Sequence, residues 1–265
     1  MMAAPFGAAF FIVYAITKRK AGEGMSADAC EAHYMRLWDV SREILLESFE
    51  SKRSEAMADA HSFLSDADAF VSVMDDRPEV KVLKMVLREY QFSLMSLTFG
   101  HYRSAMVSLR LTLELAFSMI RWSANERELR EWNVGMRDAN WASLIDKADG
   151  VLSKNFVKLF SEAFVDEAGS YLGTASALYR ELSEFVHGNS STHELISEEL
   201  GFDQELFESW HEKAASVRLN IMFLLSMRYL AEFSDEQKNG VEEVLLDRLG
   251  HSGAVRFYLG ATIGG

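Results

Sequence analysis

Residues 102–122, YRSAMVSLRLTLELAFSMIRW, decide how the rest of the chain is read. At the helical turn of about 100° per residue, apolar side chains fill most of the circumference, and Arg103, Arg110, Glu114 and Arg121 fall within a strip about 40° wide. A helix so apolar needs neighbours on nearly every side, which predicts the centre of a helical bundle. The charges on it need partners or water. Arg110 and Glu114, four residues apart, can pair with each other, leaving Arg103 and Arg121 to face solvent or an anion. Two readings of the strip stay open: a thin exposed line on an otherwise buried helix, or a cleft wall carrying positive charge.

The segments on either side have the same three- and four-residue apolar spacing. Helices are expected over about 26–50, with Tyr34, Leu37, Trp38, Ile44, Leu45 and Phe49 as a buried side, over 54–73, and over 78–99 after a turn at Asp75, Asp76 and Pro78. Gly100 and His101 mark the boundary before the central helix. Between 123 and 169 the pattern breaks into three short helices punctuated by Gly135, Gly150 and Gly169. A helix from about 170 or 174 to 187 follows, with Gly188 and Asn189 suited to its C-cap. The polar loop NSSTHELIS comes next, then long helices over 203–233 and 235–249.

Only two prolines occur in 265 residues, so helix breakers are scarce and an all-α fold is expected. No linker and no repeat divides the chain. The expected organisation is an apolar segment over 1–24, N-terminal helices over 25–78, a multi-helix bundle with an irregular helical middle over 79–249, and a Gly-rich tail over 250–265.

The net charge of −13 argues against a protein that coats nucleic acid, because phosphate binding rests largely on Lys and Arg. A small basic site on an acidic body remains open. The lone Cys30 fits a reducing compartment, and His33, His61, His101, His193, His211 and His251 show no zinc-ligand spacing. No phosphate-binding glycine loop, dinucleotide fingerprint or nucleophile elbow appears. Residues 1–17, MMAAPFGAAFFIVYAIT, are uncharged and followed by KRK. They are read as a membrane contact that keeps the domain at the inner, cytoplasmic face, as a helix docked on the body, or as an upstream extension of a cytoplasmic domain that folds from about Met25.

A second polar stripe lies in YRELSEFVHG, residues 179–188. Arg180, Ser183, Glu184 and His187 share one face at i, i+3, i+4 and i+7, opposite Ala175, Leu178, Leu182, Phe185 and Val186. On pattern alone this is an ordinary surface helix, with Arg180 and Glu184 as an exposed pair.

The central AMVSLRLTLELAF helix followed by a helix ending YRELSEFVHG resembles the HEPN superfamily of helical bundles, whose signature is an Arg, four to six residues, and a His on one helix. Arg180 and His187 have six residues between them. The resemblance spans about residues 80–232. It implies metal-independent RNA cleavage without a cofactor, with the Arg/His helices of two protomers meeting across a homodimer cleft, and often an antitoxin or regulatory protein and a role in antiviral defence. On that resemblance Arg180 and His187 are the expected catalytic residues, Ser183 and Glu184 support them, and Arg103, Arg110 and Arg121 bind RNA. Glu181 departs from the pattern, since many nuclease members carry Asn, Asp or His after the arginine. The alternative is a non-catalytic helical module that binds a protein partner or a nucleotide, a reading that Glu181, Glu184 and the overall acidity favour.

Overall fold

The computed structural model describes residues 26–187 and 199–260. Eleven α-helices are seen among them: α1 (Ala27–Ser48), α2 (Ser51–Val73), α3 (Val80–Thr98), α4 (Tyr102–Ser123), α5 (Glu126–Asn133), α6 (Trp141–Leu144), α7 (Lys154–Phe160), α8 (Val165–Glu184), α9 (Gln204–Tyr229), α10 (Asp235–Leu249) and α11 (Gly253–Leu259). A 3-10 turn, Glu162–Phe164, leads into α8. No strand is present among the described residues, so the fold is an all-α, multi-helix bundle.

Helix α4 occupies the centre, packed against α3, α8 and α9. Leu109, Leu113, Phe117 and Ile120 are buried completely, as its apolar circumference requires. Helix α2 adds Phe63, Ala67 and Phe70 to the same core, its C-cap adds Met74, and α11 adds Val255. The helix expected over 54–73 and part of the tail therefore share one core with the bundle.

Local chemistry fixes many of the ends. Ser26, Asn125, Asn140, Ser153, Asp203 and Ser252 each accept a backbone N–H in the first turn of the helix that follows. Ser234 and Gln237 form a reciprocal capping box at α10. Gly100 turns the chain between α3 and α4 with φ +75°, and a Cβ there would lie 2.7 Å from Ile44 Cδ1. The corner that α1 docks on thus requires a glycine.

Long α9 is fastened by buried polar groups. Trp210 Nε1 donates to Ser93 Oγ at 2.8 Å. Arg218 donates to Tyr90 Oη at 3.0 Å and to Asp59 at 2.6 Å, and Tyr229 Oη donates to Glu79 at 2.9 Å. Arg248 of α10 reaches Asp59 and Asp66, so one carboxylate of α2 joins three helices.

Three expectations need correction. The apolar side of α1 is largely uncovered: Tyr34 is 65% and Trp38 55% exposed, Phe49 is exposed, and Ile44 is the apolar residue of α1 that is buried. The spacing makes a stripe, but the bundle reaches only its C-terminal half. Gly169 does not end an element. Helix α8 runs through Gly169 and Gly173, both exposed with nothing within 4 Å of a Cβ position, while Ala168 and Ala175 keep the buried face continuous. Helix α8 also ends at Glu184, and His187 lies in the turn beyond it. The expected cap at Gly188 and Asn189, the loop to residue 198, residues 1–17 and the end of the tail lie outside the described residues.

Candidate functional site

The YRELSEFVHG segment is held from behind by the central helix. Arg110, on α4, donates from Nε to Ser183 Oγ at 2.9 Å and from Nη2 to Tyr179 Oη, with its guanidinium 4.4 Å above the Tyr179 ring. It also pairs with Glu114 at 3.5 Å, the i,i+4 partner expected from the sequence. Burial and the neighbouring Glu114 carboxylate push the Tyr179 phenol above its usual range, so it stays protonated and donates to Glu114. The Tyr179 ring stacks on Trp141, 3.9 Å between centroids and 8° between planes.

Two turns earlier on α4, Arg103 holds the end of the same helix. Its Nε donates to the Phe185 carbonyl at 2.9 Å, and its Nη2 lies 3.5 Å from the Val186 carbonyl. These carbonyls lie past the last turn of α8, where backbone acceptors lack intrahelical donors and a cation is favoured by the helix dipole. His187 follows at once, its N–H donating to the Ser183 carbonyl at 3.2 Å. The seven-residue spacing of Arg103 and Arg110 thus becomes a two-level clamp on α8.

The buried face of α8 is as the sequence predicts for Ala175, Leu178, Leu182 and Phe185. Arg180 and His187 are exposed, and neither makes an ion pair or hydrogen bond through its side chain among the described residues. Ser183 is half-buried and engaged: it accepts from Arg110 and donates to the Tyr179 carbonyl at 2.6 Å. Arg121 is not part of this group. It donates to Glu128 at 3.4 Å and to the Asp149 carbonyl at 2.9 Å, at the opposite end of α4. The strip of arginines is therefore real as a line on the helix, but its members serve different neighbours.

Four carboxylates lie on the other flank of the α8 end. Glu181, Glu184, Asp203 and Glu205 line a depression of about 330 Å³ with Phe185, Leu206, Ser209 and Lys213. Lys213 pairs with Glu181 at 3.1 Å. Sequence reading found Glu181 and Glu184 but missed Asp203, Glu205 and Lys213, which arrive from α9 and the residue before it. It also missed Tyr179, although that residue directly precedes Arg180 and stands one turn before Ser183.

Among the described residues no cluster of three His, Cys, Asp or Glu side chains could hold a metal ion, and no helix is long and apolar enough to cross a membrane. No protein-family profile, curated protein or solved structure matches this chain.

Proposed function

We propose that the end of α8 is the site of a metal-independent endoribonuclease of HEPN type, with Arg180 and His187 as its catalytic residues. The observation that carries the reading is an exposed arginine and an exposed histidine at one helix end, both without side-chain partners among the described residues, on a backbone that Arg103 fixes from the central helix. In this reading Arg180 binds the scissile phosphate through charge-assisted hydrogen bonds and stabilises the charge that develops on its oxygens. An imidazole nitrogen can accept or donate a proton, so His187 takes the proton of a ribose 2′-hydroxyl or gives one to the leaving 5′-oxygen. The 2′-oxygen attacks phosphorus, the bond to the 5′-oxygen breaks, and a 2′,3′-cyclic phosphate remains. Ser183 acts through the helix rather than on substrate, since Arg110 and the Tyr179 carbonyl occupy its hydroxyl. A second protomer supplies the facing Arg/His pair, as in the family the sequence resembles.

The acidic depression of Glu181, Glu184, Asp203 and Glu205 supports the second reading, a non-catalytic module whose partner is a basic protein segment. Purified full-length chain, incubated with total cellular RNA in EDTA and followed by end-group analysis, separates the two. Fragments ending in 2′,3′-cyclic phosphate support the nuclease. Intact RNA at every protein concentration moves the conclusion to the binding module.

A further inference from the structure

Helix α1 carries one stripe, Cys30, Tyr34, Leu37, Ser41, Ile44 and Ser48, spaced 4, 3, 4, 3 and 4, the seam spacing of paired helices. The bundle uses only its C-terminal part: Ser41, Ile44 and Ser48 are buried, with Gly100 against Ile44. From Ala27 to Val40 no residue of α1 is buried, and Tyr34 and Trp38 stand exposed on or beside the line of the stripe. This bare stretch is 14 residues long, about 21 Å at 1.5 Å per residue.

The sequence just before α1 carries a matching stripe. Phe6, Phe10, Val13 and Thr17 are spaced 4, 3 and 4 in the uncharged run that ends at Thr17. Proline suits the first position of a helix and breaks an interior, so a helix through these residues starts at Pro5. Its 13 residues measure about 20 Å, too short for a hydrocarbon core of about 30 Å but equal to the bare stretch of α1. Residues 18–25, KRKAGEGM, separate the two stripes, a connection of eight residues with glycines at 22 and 24, within the range that joins antiparallel helical neighbours.

A hairpin that turns over 18–25 sets Thr17 across from Ser26, and hence Val13 across from Cys30, Phe10 across from His33 and Tyr34, and Phe6 across from Leu37. The pairing ends with Pro5 opposite Trp38, short of the Ser41 to Ser48 half that the bundle covers. It also brings Lys18, Arg19 and Lys20 to the start of α1, where Asp28 and Glu31 are exposed and have no ion-pair partner among the described residues.

We propose that residues 5–17 fold back as an antiparallel helix on the N-terminal half of α1, so that this bare face is the docking surface for the segment that precedes it. The hairpin joins the bundle where Trp38 packs 6.3 Å from Phe99, at the corner between α3 and α4. The inference uses neither Arg180 nor His187, so it stands whether or not the protein cleaves RNA.

Disulfide trapping in the full-length chain, without lipid or detergent, tests it, because Cys30 is the chain's single cysteine and lies in the stripe. In Val13→Cys, oxidation with diamide joins positions 13 and 30 within one chain, read by peptide mass mapping, since a disulfide needs Cα atoms within about 7 Å. Ala15→Cys is nearer to Cys30 along the chain but points to the far side of a helix, and reacts at least about tenfold more slowly. Tyr34→Asp, added to Val13→Cys, slows trapping about tenfold by placing a charge in the apolar contact. Equal rates at 13 and 15, trapping that Tyr34→Asp leaves unchanged, or disulfides that form only between two chains overturn the proposal. So does the absence of trapping at position 13, whether the chain then stays in solution or floats with phosphatidylcholine vesicles.

Discussion

Arg103 Nε lies 2.9 Å from the carbonyl oxygen of Phe185, so the central helix of the bundle fixes the backbone two residues before His187. The bond joins positions 82 residues apart and explains why a turn outside any helix has a defined course. If His187 is catalytic, Arg103 is a positioning residue for it.

Arg103→Gln should therefore separate chemistry from stability. The amide cannot provide a cation at the helix end, and the expected loss of stability is about 1 kcal/mol, a melting shift of about 2–4 °C for a chain of this size. RNA cleavage should fall at least about tenfold in kcat with little change in KM. The Val186 and His187 amides should exchange faster with solvent in the variant. Unchanged exchange there would show that Arg103 does not set this backbone.

Arg110 is the stronger structural element. Arg110→Ala removes the partner of Glu114, which is largely buried, along with the bond to Ser183. A cost of about 2–3 kcal/mol in urea unfolding is expected, because a buried carboxylate left without its cation is penalised more than the pair is worth. Arg110→Lys should recover only part of it. A lysine can face Glu114 as a point charge but cannot also span Ser183 and Tyr179 with a planar fork.

Stability should decline with acid in two stages. Burial and the adjacent Arg218 charge push His211 down to about 4, against a weaker opposing pull from Asp59. The unfolded imidazole thus takes a proton between about pH 6.5 and 4 that the folded one refuses, and the folded state loses stability across that window as pH falls. Burial raises Asp59, but the Arg248 hydrogen bond and the charges of Arg218 and Arg248 outweigh it and hold the carboxyl below its usual value. Its contribution is present above about pH 4 and is lost as pH falls through the lower folded value. Both groups are partly solvated, so each effect should stay within about 1–2 kcal/mol. In His211→Leu the urea midpoint should become flat from pH 6.5 to 4 while the steeper loss below pH 4 remains.

Much of this architecture is legible in the sequence because α4 is apolar around most of its circumference and can only be central. The Arg110–Glu114 pair and the buried face of α8 follow from periodicity for the same reason. Periodicity gives the direction of a side chain but not what stands opposite it. It therefore cannot say that the bundle covers Ile44 and leaves Tyr34 bare, or that Arg121 turns to Asp149 while Arg103 turns to Phe185. Gly169 misleads because a glycine on the solvent side of a long helix costs only about 1 kcal/mol, which the buried alanines and leucines of α8 exceed. The acidic depression is invisible to any single segment, since two of its carboxylates come from the start of α9.

The central claim is that His187 transfers the proton in RNA cleavage, and the rate of cleavage of a defined single-stranded RNA in EDTA by the wild type and by His187→Ala tests it most directly. His187 is exposed, so the variant should match the wild type in circular dichroism and melting temperature. The account predicts metal-independent cleavage by the wild type and a rate about 100- to 10,000-fold lower for the variant, the usual scale for loss of general acid–base catalysis. Cleavage at an undiminished rate by well-folded His187→Ala would contradict it.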